Sequence, residues 1–265
     1  MPDFAFTFFL LPFLCAFAAL GYFVKTRLPE RHRSRDSFEL VQISITLMVT
    51  FTAIVLGVLT TSVKTGFDTS YADRGAYAAS LAQMDRCLRD FGAAAEPMRA
   101  SLRAYTAAVI ASTWPDEKAP AGVSYPSVAG MPLTGESHEL GAILDDVGSR
   151  VRRLAPTDPV QSRVIDSCLQ QYSDMQKSRW RVIEEARASI SPPFYWVLVF
   201  WLAILFASIG LTAPASPVTI IVIGLSALSI SVAVVVIQDM DHPYGGLFGI
   251  PSTSMRAALA DMTAP

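Results

Sequence analysis

The residue types able to do covalent or metal chemistry are few in this sequence and poorly spaced for it. The histidines are His32, His138 and His242, and none has a second His, Cys or Glu at metal-ligand spacing. No phosphate-cradling glycine loop, nucleophile elbow or histidine–glutamate zinc signature is written in the chain. Asp145 and Asp146 are adjacent, so on a helix they cannot share a face, and they read as solvated surface rather than an acid/base pair. Cys15, Cys87 and Cys168 are too few and too scattered for a disulfide framework or a zinc site. Cys15 lies inside an apolar run, which leaves Cys87 and Cys168 as the pair that could bond. Two buried small apolar side chains are the plainer reading. The expectation is a protein that is not an enzyme and needs neither metal nor organic cofactor.

A different chemistry is suggested by Thr46, Thr50, Ala53, Gly57, Thr60 and Lys64. Their steps of four, three, four, three and four put all six on one face of a helix. Such a face has two physical uses. Small residues let another helix approach closely, and threonine hydroxyls hydrogen-bond across helices. Alternatively the face lines a narrow pore in an oligomer, with Lys64 at one mouth favouring anions. Packing is the plainer of the two. Ala203, Ala207 and Gly210 repeat the motif more weakly further on, as do Gly224, Ala227, Ser231 and Gln238.

The elements that carry these faces are membrane spans. Of the 265 residues 52% are hydrophobic and only 17% charged, against about a quarter charged in a typical soluble domain; the mean hydropathy is +0.39. Charged residues are absent from Phe4 to Val24, Val41 to Val63 and Ala188 to Ile237. A spanning helix needs about 20 apolar residues. The first span is Phe4 to Val24. A cleaved signal peptide would have basic residues ahead of the apolar run, whereas here Asp3 precedes it and Lys25, Arg27, Arg31, Arg33 and Arg35 follow. The second span is Gln42 to Val63, ending at Lys64. The third runs from Phe194 to Leu211 after the stop at Ser191-Pro192-Pro193, and the fourth from Val218 to Ile237 after the turn at residues 212–217. No ionisable residue lies within any span, which disfavours a proton relay or a charge-coupled carrier.

Between the two pairs the chain reads as an ordinary water-exposed helical region. Leu81, Met84, Leu88 and Phe91, then Met98, Leu102, Tyr105 and Val109, recur at helical spacing and predict two helices joined near Gly92 to Glu96. Four prolines between Thr113 and Pro132 predict a loop. A third helix is predicted from Glu136 to Leu154. A fourth starts at Asp158-Pro159 with Gln161 in a capping position, carries Val164, Cys168, Tyr172, Met175, Trp180 and Ile183 on its apolar side, and runs almost directly into the third span. The predicted fold is an all-α integral membrane protein: residues 1–67 a first transmembrane pair, 68–190 a helical extramembrane region, 191–240 a second transmembrane hairpin, and 241–265 an extramembrane tail.

The short loop between the first two spans carries five basic residues, against six near the membrane ends of the middle region: Lys64, Arg74, Lys177, Arg179, Arg181 and Arg187. Long loops are translocated largely regardless of charge, so the positive-inside rule, weighted on the short loop, favours that loop in the cytoplasm. Both termini and the middle region would then lie outside the cytoplasm of a bacterial plasma membrane. A net charge of −2 supplies no basic excess to neutralise phosphates, so nucleic acid is not an expected partner.

Two segments, LRAYTAAVIASTWP from Leu102 to Pro115 and DHPYGGLFGIPSTSM from Asp241 to Met255, resemble the bacterial bestrophin-like membrane family, whose function is unknown. Arg103, Tyr105, Val109, Trp114 and Pro115 stand where that family has an arginine–tyrosine helix ending in tryptophan–proline. Asp241, Pro243, Tyr244 and Gly246 look like its exit motif after the last span. The order of two spans, helical middle and two spans agrees over nearly the whole chain. Gly75 departs from the pattern by following Arg74 where an acidic residue is expected. The name reflects a distant likeness to bestrophins, which are pentameric anion channels lined by the second span. The resemblance therefore implies a homo-oligomer passing small anions along Thr46 to Lys64. It also implies a cytoplasmic middle region, opposite to the orientation taken from the loop charges. The rival expectation is a non-conducting membrane anchor whose helical middle binds a partner or senses its compartment.

Overall fold

The computed structural model describes residues 3–28, 35–131, 137–187, 192–244 and 247–264. Among these the regular structure is helical: α1 (Asp3–Arg27), α2 (Arg35–Phe91), α3 (Glu96–Thr113), α4 (His138–Val151), α5 (Pro159–Arg187), α6 (Pro192–Thr212), α7 (Pro217–Met240) and α8 (Thr253–Thr263). The four predicted spans fall on α1, α2, α6 and α7, each long and apolar enough to cross a bilayer. Residues 29–34, with most of the basic loop, and residues 188–191, where α5 was expected to run into the third span, lie outside the described residues. So does Gly246.

Two compact units divide the chain, one of residues 1–67, 189–242 and 246–248, the other of 68–188, 243–245 and 249–265. The tail from residue 241 is thus shared between them. Helix α2 contributes to both and differs from expectation: the second span and the first helix of the middle region are one helix of 57 residues. At 1.5 Å per residue that is about 85 Å, nearly three times a hydrocarbon core of about 30 Å. No proline or paired glycine interrupts it, and the charges that begin at Lys64 end the apolar run without breaking the backbone.

In the membrane unit α1 packs against α6 and α7. Leu10, Leu14 and Ala18 are buried against Leu198, Leu202 and Phe206. The crossing of α1 and α6 is a backbone-to-backbone contact. A Cβ on Gly21 would sit 1.9 Å from the Ala207 carbonyl oxygen, and one on Gly210 would sit 1.9 Å from that of Ala18. Glycine is required at both positions. Lys25 Nζ donates to the Ala213 carbonyl at 2.6 Å, satisfying an acceptor at the end of α6. Outward-facing Phe194, Trp196, Phe200, Ile220 and Ile221 are exposed, as lipid-facing side chains should be.

The second unit has its own core, built from the predicted stripes: Leu81, Met84 and Leu88 of α2, Leu102 and Tyr105 of α3, Leu144 of α4, and Met175 of α5. Gly148 of α4 leaves room for the Tyr172 ring, whose hydroxyl donates to the Leu144 carbonyl at 3.1 Å. Helix α4 is shorter than expected, because Pro156 disfavours helix at Ala155 and the chain turns at Arg152-Arg153. Asp158 caps α5 by accepting from the backbone N–H groups of Val160 and Gln161, while the Gln161 side chain turns back to Thr157. Trp180, expected on the apolar side of α5, is 47% exposed.

Two features of this unit depart from the plainer reading of the sequence. Cys87 of α2 and Cys168 of α5, the pair that could bond, form a disulfide across 81 residues, in place of two buried small apolar side chains. The tail folds into α8, whose Met255, Ala258, Leu259 and Met262 are buried. That spacing of three, one and three is an amphipathic signal already written in the sequence.

Candidate functional site

The six-residue face of α2 lies entirely on the outside of the chain. Thr46, Thr50, Ala53, Gly57, Thr60 and Lys64 are all exposed, and a Cβ built on Gly57 meets nothing within 4 Å. The hydroxyls of Thr46, Thr50 and Thr60 donate to the carbonyls of Gln42, Thr46 and Leu56, one turn back. The far side of the helix does the packing: Thr52 and Val63 are buried, and the rings of Phe51 and Trp201 meet edge to face at 4.9 Å. Within the single chain the stripe therefore faces outward. Ala207 and Gly210 of α6 do meet a helix, and Ala227 and Ser231 of α7 are buried, while Gly224 has open space beside it.

Most of the described motif residues gather in the second unit. Trp114 closes α3, its indole N–H donating to the Ile250 carbonyl at 2.7 Å, and Pro115 prevents the helix from continuing. Pro243 accepts from the Ile250 N–H at 2.7 Å. Arg103 pairs with Glu96 and donates to the Met262 carbonyl near the end of α8, a structural role. Beside it the buried Asp85 takes a two-point ion pair from Arg99, 3.1 Å at each contact. At the other end of α8, Glu117 accepts from Ser252 and Arg256, and the Ser252 hydroxyl foremost holds its carboxyl below the usual range. Asp241 ends α7 as its C-cap, through its backbone N–H.

Trp114 and Tyr244 share a partner that sequence reasoning missed. Arg74, only 5% exposed, has its guanidinium 5.2 Å from the Trp114 ring centre and 4.5 Å from that of Tyr244. One turn along α2, the Tyr77 hydroxyl meets that of Tyr105 at 2.5 Å, and Arg179 hydrogen-bonds to Tyr105. Burial pushes both phenols above their ordinary range, so they stay protonated. Arg74, Tyr77, Tyr105, Arg179 and Tyr244 line a cavity of about 60 Å³. The signal in the sequence was the departure at Gly75: an arginine at 74 without the acidic neighbour expected beside it.

Asp145 and Asp146 are surface groups as expected, Asp146 pairing with Arg150 at 2.8 Å. A second carboxyl pair is closer. Asp73 hydrogen-bonds Glu185 and pairs with Arg181 at 3.0 Å; burial, and then the Asp73 contact, push the Glu185 carboxyl up to about 7.

The family model for the bestrophin-like domain matches residues 13–255. The chain belongs to the bestrophin-like family. Solved structures share its fold over almost the full length. A crystal structure of a bacterial bestrophin homologue from Klebsiella pneumoniae, with an isoleucine-to-threonine substitution, is 14% identical with a TM-score of 0.60, covering 97% of this chain and 99% of the homologue. A tryptophan-to-alanine form of the Klebsiella pneumoniae homologue is 13% identical at a TM-score of 0.63, covering 99% and 97%. A crystal structure described as a membrane protein is 14% identical at 0.64, covering 97% of each chain. At these identities the likeness is one of fold. No curated protein matches the sequence.

Proposed function

We propose that this bestrophin-like membrane protein assembles as a homo-oligomer and passes small anions along the α2 face from Thr46 to Lys64. The observation that carries the reading is the exposure of the whole face in the single chain. A stripe of threonine, alanine and glycine without a partner in its own subunit is suited to facing other copies of itself around an axis. Gly57 and Ala53 would set a wide radius there, and threonine hydroxyls are rotors that can turn from a backbone carbonyl towards a passing ion. Lys64 supplies positive charge at one end, and no carboxylate lies on the face between Thr46 and Lys64.

The first test is oligomeric state in detergent. A ring leaves room for a conduit built from one helix per subunit, whereas a monomer or dimer would end this reading in favour of a membrane-anchored sensor. In reconstituted protein Thr50→Leu and Gly57→Leu should each cut anion conductance by roughly tenfold, because a bulky apolar side chain narrows and dewets the constriction. Flux indifferent to both substitutions removes α2 as the lining.

We further infer that the second unit and both termini lie outside the cytoplasm of a bacterial inner membrane. The Cys87–Cys168 bond supports this, because disulfides persist in oxidising compartments and are rare in the cytosol. The basic residues after α1 support it independently. This orientation is opposite to that implied by the likeness to bestrophins. Labelling a cysteine introduced at Ser127 in intact cells tests it, and protection from a membrane-impermeant reagent would overturn it.

A further inference from the structure

We propose that the cavity at Arg74 is a binding site for one small monovalent anion, a halide or a planar oxyanion of formate or nitrate size. Arg74 is a permanent cation and almost wholly buried, and among the described residues no carboxylate meets it. Its two aromatic neighbours stabilise the charge through their ring faces. A ring face carries no lone-pair acceptor for the Arg74 N–H donors. One of these, Nε–H, is buried without a hydrogen-bond partner.

A second unserved donor lines the same cavity. The hydroxyl of Tyr244 is buried with no partner. In the wall of the same cavity the Tyr77 and Tyr105 hydroxyls bond each other, which uses one of their two O–H protons. Buried polar groups left unpaired are destabilising, more so beside a charge. Arg74 Nε–H and the Tyr244 hydroxyl, two unserved donors of residues lining one cavity, ask for the same thing, an acceptor carrying negative charge. The cavity of about 60 Å³ has room for a handful of water-sized atoms, which sets the size class and excludes nucleotides and sugars. Ser112, Thr113 and Ser137 add neutral polar lining. The site is built from residues of the second unit alone, so it does not depend on the proposed conduit.

The test uses the full chain in detergent and follows thermal unfolding at constant ionic strength, with gluconate replaced stepwise by chloride, nitrate or formate. Gluconate is too large to enter. At saturating concentration at least one of the small anions should raise the unfolding temperature by roughly 5 °C. Tyr244→Phe keeps the ring against Arg74 and removes only the hydroxyl; it should weaken the apparent affinity about tenfold. Arg74→Met should abolish the response. Where Arg74→Met does not fold, Tyr244→Phe carries the test by itself. The same unfolding temperature in all four salts means a merely hydrated cavity and overturns the proposal. So does an anion response that Tyr244→Phe leaves unchanged.

Discussion

On α6, Ala207 and Gly210 lie so close to α1 that a methyl group at Gly210 would strike the Ala18 carbonyl oxygen. On α2, Ala53 and Gly57 carry the same kind of small-residue signature and have open space beside them. The two faces are nearly indistinguishable in composition, yet one is consumed inside the subunit and the other is left over. The difference arises because close helix approach needs small residues on both partners. Helix α1 supplies Ala18 and Gly21 opposite α6. The large side chains that meet α2, such as Trp201, lie against its far side.

The largest expected effect breaks the first face. Gly210→Leu places a branched side chain where a bare Cβ already collides with backbone, and overpacking of that kind costs about 3 kcal/mol. Loss of the monodisperse peak in fluorescence-detected size exclusion would register it, and a wild-type profile would show that the crossing is looser than described. Second is the covalent staple of the other unit. In the chain-entropy picture a loop of this length is worth about 4 kcal/mol, so Cys87→Ser should lower the unfolding transition by several degrees in non-reducing buffer. Wild-type protein given a reductant should follow it down.

Third comes the contrast itself. Gly57→Leu should leave the stability of the single subunit within about 0.5 kcal/mol while reducing ion flux, the reverse of Gly210→Leu. If chemical denaturation finds the two equally destabilising, the comparison collapses. The smallest effect is a pH dependence confined to the second unit. Glu185 has a folded-state pKa of about 7, raised above its unfolded value. Between about 4.5 and 7 the native state therefore holds a proton that the unfolded state has released, and stability falls as pH rises through that window. Asp73 is shifted the other way, so its contribution is lost below its unfolded value as pH falls. Glu185→Gln should flatten the unfolding-temperature profile between pH 5 and 7 relative to wild type.

Much of this molecule was legible in its residues because membrane insertion and helix formation are read locally. Charge-free runs of about 20 residues announce spans, and the periodic Leu81, Met84, Leu88 and Phe91 announce a buried helix face. The paired motifs ending at Pro115 and beginning at Asp241 carried the family. Less was read than was written. Met255, Ala258, Leu259 and Met262 foretell α8, and Ala18 with Gly21 foretells the close crossing.

Other features depend on which segments meet, and no local pattern encodes that. Cys87 and Cys168 lie 81 positions apart and bond because α2 and α5 run side by side in one core. Arg74, Trp114 and Tyr244 come from three separate stretches, and only packing turns a lone arginine between aromatics into a cavity with unserved donors. The sequence determined by itself that this chain spans a membrane four times, that its middle is helical, and that α2 carries a face of threonine and glycine. Tertiary structure decided which small-residue face is spent on packing and which is left exposed. Periodicity states which residues share a side of a helix, and only the positions of neighbouring backbones state what that side touches.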